Sequence, residues 1–158
     1  MILREELLPG DDYRIRRLAA ATGFFYDDEV LIAGELAEER LAKGEASGYR
    51  FVLAEEEGQL LGYVCFGPIP CTRASYDLYW IAVRPDQQGR GLGRQLLREA
   101  EERIRLDGGR RVYIETSMRL KFAPTRAFYQ ACGYRREAVF ADFYDRGDDK
   151  AVYCKVLA

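Results

Sequence analysis

The run Leu78-Tyr79-Trp80-Ile81-Ala82-Val83, the turn Arg84-Pro85-Asp86 and the segment Gln88-Gly89-Arg90-Gly91-Leu92-Gly93 decide how this chain folds. The first is rich in β-branched and aromatic residues and predicts a strand. After the glycines come Leu96, Leu97, Ala100 and Ile104, an apolar stripe at helical spacing. Strand, glycine-rich turn, helix is the context in which backbone amides converge on a phosphate, because the first turn of a helix leaves its N–H groups without internal acceptors. The expectation is therefore a phosphorylated cofactor held at this turn. Arg90 and Arg94 add charge nearby, or else simply face solvent.

Working outward, residues 13–18 alternate loosely and predict a first strand, with another short helix expected between Ala19 and Tyr26. Residues 28–43 predict a helix with Val30, Ala33, Ala37 and Leu41 on one face and Asp27 or Asp28 as its cap. Strands are expected at 50–55 and from Leu60 to Phe66, then from Tyr76 to Val83. The helix after the glycine turn runs to about Asp107 and stops at Gly108-Gly109. Residues 111–116 form a fifth strand, 123–132 a helix opened by Pro124, and 134–143 and 150–157 two last strands joined by an acidic turn. The predicted order is β, α, β, β, β, α, β, α, β, β: an α+β or mixed α/β sheet within a single domain spanning 1–158. The helix after strand four should make a right-handed parallel crossover to strand five.

Composition narrows the function. The chain has 158 residues, 24 basic and 26 acidic, so its net charge of −2 argues against nucleic acid as a partner. It has no histidine, which removes the commonest general base and every Ser-His or Cys-His nucleophile pair. Cys65, Cys71, Cys132 and Cys154 form no CxxC pair, so no metal site is expected. No apolar run approaches the length of a membrane helix and no export signal is visible, so a cytoplasmic protein with reduced cysteines and no membrane partner is expected. Asp142 to Lys150 carries aspartates around a glycine, but the spacing is not that of a calcium-binding helix-loop-helix.

The glycine turn does not fit a dinucleotide fingerprint, because its glycines are spaced G-x-G-x-G and no acidic residue ends a following strand. No Gly-Lys-Ser or Gly-Lys-Thr follows, which excludes a Walker A loop. Gln88, Gly91 and Gly93, with Gly89 and the preceding Pro85 and strand, instead resemble the GNAT superfamily, the Gcn5-related N-acyltransferases. The segment Thr125 to Tyr134, with Tyr129, Gly133 and Tyr134, resembles a second region of that family. Many members carry an asparagine and an alanine where this chain has Phe122 and Thr125, which puts one pantetheine contact in doubt.

The resemblance implies the acyl-CoA N-acyltransferase fold: a central mixed, mostly antiparallel sheet flanked by helices, with a splayed pair of parallel strands. It implies acetyl-CoA as cosubstrate, its pyrophosphate on the amides of Gln88, Gly89, Arg90, Gly91, Leu92, Gly93 and Arg94. It implies a thioester carbonyl polarised from the backbone at Ile81 and Val83, and Tyr129 as general acid toward the departing thiolate. For the general base, Glu115 is the first choice, as a carboxylate within an apolar strand, with Asp77 as the alternative and Asp142 as a further substrate contact. Tyr79, Trp80, Phe143 and Tyr144 are expected to line an acceptor pocket. Arg119 and Lys121, if they meet a substrate carboxylate, imply an amino-acid-like amine. The expected activity is acetyl transfer from acetyl-CoA to a small primary amine by direct attack; the alternatives are a protein or peptide acceptor and a non-catalytic acyl-CoA sensor. A homodimer is left open.

Overall fold

The quoted stretch folds as strand, turn and helix in the computed structural model, which describes residues 1–157. Strand β4 (Ser75–Val83) ends in a short 3₁₀ turn at Pro85–Gln87, and helix α3 runs from Leu92 to Leu106. Leu92, Leu96, Leu97, Ala100 and Ile104 are all buried on one face of α3. This stripe at i, i+4 spacing holds the helix against the sheet. Gly108, in the left-handed region at φ 87°, turns the chain into β5 (Arg111–Ser117). β5 returns parallel to β4, completing the expected crossover.

The other elements are β1 (Ile2–Arg4), α1 (Asp11–Thr22), α2 (Asp27–Lys43), β2 (Arg50–Glu56), β3 (Gln59–Pro68), α4 (Ala123–Ala131), β6 (Arg135–Asp145) and β7 (Asp148–Val156). The strands form one sheet in the order β1-β2-β3-β4-β5-β7-β6, antiparallel throughout except for β4 against β5. The architecture is thus a mixed α/β fold with a mostly antiparallel central sheet flanked by helices. Both faces of β2 and β3 are covered. Val52, Ala54, Val64 and Phe66 join the core under α3, while Phe51, Leu53, Tyr63 and Cys65 join the core under α1 and α2. Burial on both faces explains why these strands read as nearly continuous apolar runs. Among the described residues, no helix is long and apolar enough to cross a membrane.

The expected strand at 13–18 is helix instead. Ile15, Leu18 and Ala19 are buried at i, i+3 and i+4, while Arg17 faces solvent and Arg16 packs across Gly34 of α2 to pair with Glu38. A window of six residues holding two apolar side chains cannot separate that spacing from loose alternation. The short helix expected between Ala19 and Tyr26 is the end of α1, closed by Gly23 at φ 72°. Helix α2 begins one residue early, and neither Asp27 nor Asp28 caps it. Its cap is Tyr26, whose N–H donates to the Glu29 carboxylate at 2.9 Å. Leu41, expected on its apolar face, is 38% exposed.

The feature that positions the site is the limited pairing of the parallel strands. Only Ser75–Leu78 pairs with Arg111–Ile114. Beyond that point β4 continues along β3, and β5 continues along β7, so the two strands part at their C-terminal ends. A bulge against β3 at Cys65 and Phe66 leaves Tyr79 without a register partner. It shifts the strand's phase, so that Tyr79 and Trp80 both pack toward α1 and α2 while Ile81 returns to the α3 side.

Candidate active site

The turn between β4 and α3 is built from backbone. Gly89 and Gly91 lie at φ 77° and 83°, which a residue with a Cβ adopts only at a cost. The turn is tied down on its β4 side: the Gln88 side-chain amide donates to the Val83 carbonyl at 3.0 Å, and Arg84 pairs with Asp86 at 2.6 Å. Gly91 is the N-cap of α3 and has no side chain to cap it. The first amide of the helix ladder is that of Gln95, donating to the Gly91 carbonyl at 3.0 Å. Among the described residues the amides from Gly89 to Arg94 have no backbone acceptor, so a row of N–H groups is free at the positive end of the helix. Arg90 and Arg94 are exposed beside it. Leu92 is buried and anchors the first turn, and Gly93 sits against Phe128, whose ring lies 3.4 Å from where a Cβ would be.

This turn lies at the end of β4 where β4 and β5 diverge, with Ile81 and Val83 packed on the α3 side of the strand. Tyr129 is 6% exposed, in contact with Phe128, Tyr134 and Tyr153. Burial pushes its phenol above the ordinary tyrosine value, with Cys132 adding to the shift, so the proton is retained at neutral pH. Phe122, where many family members have asparagine, is buried against Phe24 and has no polar atom to offer.

On the opposite face of the sheet, Asp77 and Tyr113 are register partners, and Glu115 follows on the same face of β5. These three line a cavity of about 340 Å³ with Thr72, Ser75 and Val152. The premise that Glu115 is a carboxylate buried in an apolar strand does not hold. Its side chain is 52% exposed and pairs with Lys150 at 3.4 Å, because β5 turns this face to the open side of the sheet. Asp77 has the more perturbed environment: burial first, then the charge of Glu115, push its carboxyl above the usual aspartate value, and Lys150 partly offsets them. Tyr144 stands near the same charges; burial, then Glu115, Glu29 and Asp148, push its phenol up to about 12. Tyr79 is also pushed up to about 12, by burial and then Asp77. The structure thus brings Asp77, Tyr79, Glu115 and Tyr144 together. It adds Lys150 and Glu29, which lie in elements whose approach to β4 no local spacing reveals.

Arg119 and Asp142 are already engaged. Asp148, 3% exposed, accepts from the Ser117 hydroxyl and pairs with Arg119 at 3.2 Å. The Arg119 guanidinium stacks at 5.1 Å over Tyr26 and 5.5 Å over Phe122. Asp142 lies at φ 53° where β6 pairing is interrupted. Its carboxylate accepts from the Gly147 amide and its own amide donates to Asp149, each at 2.8 Å, so it shapes the β6–β7 hairpin. Lys121 donates to the Gly23 carbonyl at 3.2 Å. Among the described residues no group of three or more His, Cys, Asp or Glu side chains is arranged to hold a metal ion.

A sheet parted between two parallel strands, with an uncapped amide turn at one side of the opening and an acidic, aromatic cleft at the other, defines the N-acyltransferase class of architecture. The chain belongs to the acetyltransferase (GNAT) family, whose profile matches residues 13–134. A GNAT-family protein from Desulfovibrio desulfuricans, known from a crystal structure, is 48% identical and superimposes at a TM-score of 0.97 over 99% of each chain. An aminoglycoside 6'-N-acetyltransferase crystallised with coenzyme A shares the fold at a TM-score of 0.78, over 100% of this chain and 98% of its own, but only 17% identity. The N-alpha-acetyltransferase RimI of Mycobacterium tuberculosis is 34% identical over 95 residues, 60% of this chain and 57% of its own length. The matches to curated relatives span between 53% and 57% of those proteins.

Proposed function

We propose that this chain is an N-acetyltransferase that moves the acetyl group of acetyl-CoA to a primary amine of a small molecule by direct attack. One observation carries the reading: β4 ends, where it has parted from β5, in a row of free amides suited to a pyrophosphate, and the same strand carries the perturbed carboxyl of Asp77 just before the strands part. The pantetheine arm lies in the opening, its phosphates on the amides of Gly89 to Arg94, and the backbone near Ile81 and Val83 polarises the thioester carbonyl. The amine nitrogen attacks the carbonyl carbon, the carbon–sulfur bond breaks, and CoA leaves as thiolate. Asp77 takes the amine's proton through water, a role for which it is better suited than the exposed and paired Glu115. Tyr129, whose buried phenol keeps its proton, is the proton donor to the departing thiolate. The amino-acid-like acceptor loses its main support because Arg119 is held by Asp148, leaving a small amine as the reading.

The test is thiol release from acetyl-CoA against polyamines, amino acids, aminoglycosides and short peptides, with the acetyl mass located on the product. Acceptor-dependent release to a small amine is expected. Release to peptides alone would transfer the activity to protein acceptors, a reading that the likeness to RimI favours. Tight CoA binding with no release across the panel would point to an acyl-CoA sensor.

A further inference from the structure

We propose that the acceptor taken by this cleft is a dication, an aliphatic diamine or polyamine, with the reacting amine at Asp77 and a second ammonium at Glu115. The inference rests on the acetyl-transfer reading and names its substrate class. The geometry comes from the strands. Asp77 and Tyr113 are register partners, and Glu115 lies two residues further along the same face of β5. A step of two residues along one strand and one strand across separates the two Cα positions by roughly 8 Å. That is close to the reach of a short extended diamine. The cavity between them, about 340 Å³, has these two carboxylates and no basic side chain in its lining.

Three cations near the cleft are engaged within the protein itself. Arg119 is paired with the buried Asp148 and stacked on Tyr26 and Phe122. Lys121 is bound to the Gly23 carbonyl. Lys150 is paired with Glu115. Of the charged groups at the cavity, Asp77 and Glu115 oppose Lys150, leaving an excess of one negative charge when all are ionised. An acceptor bearing a carboxylate would meet two like charges in the cavity lining.

Lys150, outside the cavity lining, shows what the Glu115 carboxylate accommodates. Its ammonium sits 3.7 Å from the centroid of the Phe143 ring while 3.4 Å from Glu115, so a primary ammonium is already lodged between an aromatic face and this carboxylate. Glu115 is half-exposed, and one lysine does not exhaust the acceptor positions of its two oxygens. Tyr113 and Val152, which line the cavity, supply apolar surface for the methylene chain between the two nitrogens.

The experiment compares putrescine with butylamine, which lacks the second amine, and with ornithine, which adds a carboxylate. Acetyl transfer by the full chain is measured for each, and binding to the CoA-loaded protein is followed by calorimetry. Putrescine should exceed both in kcat/KM by about tenfold, the worth of one charge-assisted hydrogen bond. The advantage over butylamine should fall to about twofold in Glu115→Gln, mainly through KM. Butylamine or ornithine equal to putrescine would overturn the inference and leave acetyl transfer standing, as would an advantage untouched by Glu115→Gln. Preferential, Glu115-dependent putrescine binding without acetylation would support the dication site and overturn the catalytic reading. Putrescine bound no better than butylamine would overturn the inference whatever the activity.

Discussion

Gly91 offers the sharpest separation of fold from ligand, because two substitutions there make opposite demands. Its φ of 83° places it in the left-handed region, and a Cβ built on it meets nothing within 4 Å. Gly91→Ala therefore introduces strain without a clash, costing about 1–2 kcal/mol of folding stability. For a chain of this size that lowers Tm by roughly 2–8 °C. The amides stay where they are, so CoA affinity should change by less than about threefold. Gly91→Asp suffers less strain, since aspartate tolerates this conformation, and its carboxylate at the start of α3 gains from the helix dipole. The same carboxylate stands where the pyrophosphate is to bind. At about 6 Å and an effective dielectric constant of about 20, one unit charge repels it by about 3 kcal/mol, roughly a hundredfold in Kd. The Asp variant should be the more stable of the two and the weaker binder. Thermal unfolding and CoA calorimetry, at low and high salt, read both quantities, and salt should narrow the affinity gap. A folded Gly91→Asp protein with wild-type CoA affinity would refute the amide cradle.

Tyr129→Phe keeps the ring that packs among Phe128, Tyr134 and Tyr153, so stability should change by less than about 1 kcal/mol, while turnover with a good acceptor falls about a hundredfold or more; unchanged kcat where chemistry limits the rate would remove its role. If Asp77 is the base, activity rises with pH through a midpoint above the ordinary aspartate value, and Asp77→Asn removes that limb along with most of kcat. Glu115→Gln deletes a charge that raises Asp77 and frees Lys150, which lowers it, so the limb should move to lower pH; movement to higher pH would contradict the assignment. Asp11 is fully buried. Burial alone would raise its carboxyl, but the hydrogen bonds from Arg4 and Leu8 prevail and hold it below the usual range, so its stabilising effect is present above the unfolded-state pKa and lost as pH falls through the depressed folded one. Asp11→Asn should cost about 3 kcal/mol near neutrality in urea unfolding, with a smaller difference in acid.

The parts of the site that were legible in the sequence are the local ones. The free amides follow from the order of strand, glycines and helix over Leu78 to Ile104, and nothing distant is needed to make them. The helix carrying Tyr129 announces itself by Pro124 at its start and Gly133 beyond its end. What escaped depends on approach between elements. Glu115 reads as apolar-strand burial because Ile114 and Thr116 are buried, but its own face opens toward Lys150, some 35 residues on. Arg119 reads as a free loop charge, and only the return of β7 puts Asp148 beside it. The bulge at Tyr79 is equally silent, since it arises from register with β3 and not from any glycine in β4. The helix at residues 13–18, where a strand is predicted, differs for another reason. There the helical spacing of Ile15, Leu18 and Ala19 was present and the window was too short to read it.

Amide chemical-shift mapping with CoA tests the central claim most directly. The account predicts that the resonances of Gly89 to Arg94 and of Ile81 to Val83 move together and saturably, while those of the outer faces of α1 and α2 stay in place. Saturable CoA binding that leaves Gly89 to Arg94 unmoved, or no binding at millimolar CoA, would contradict it.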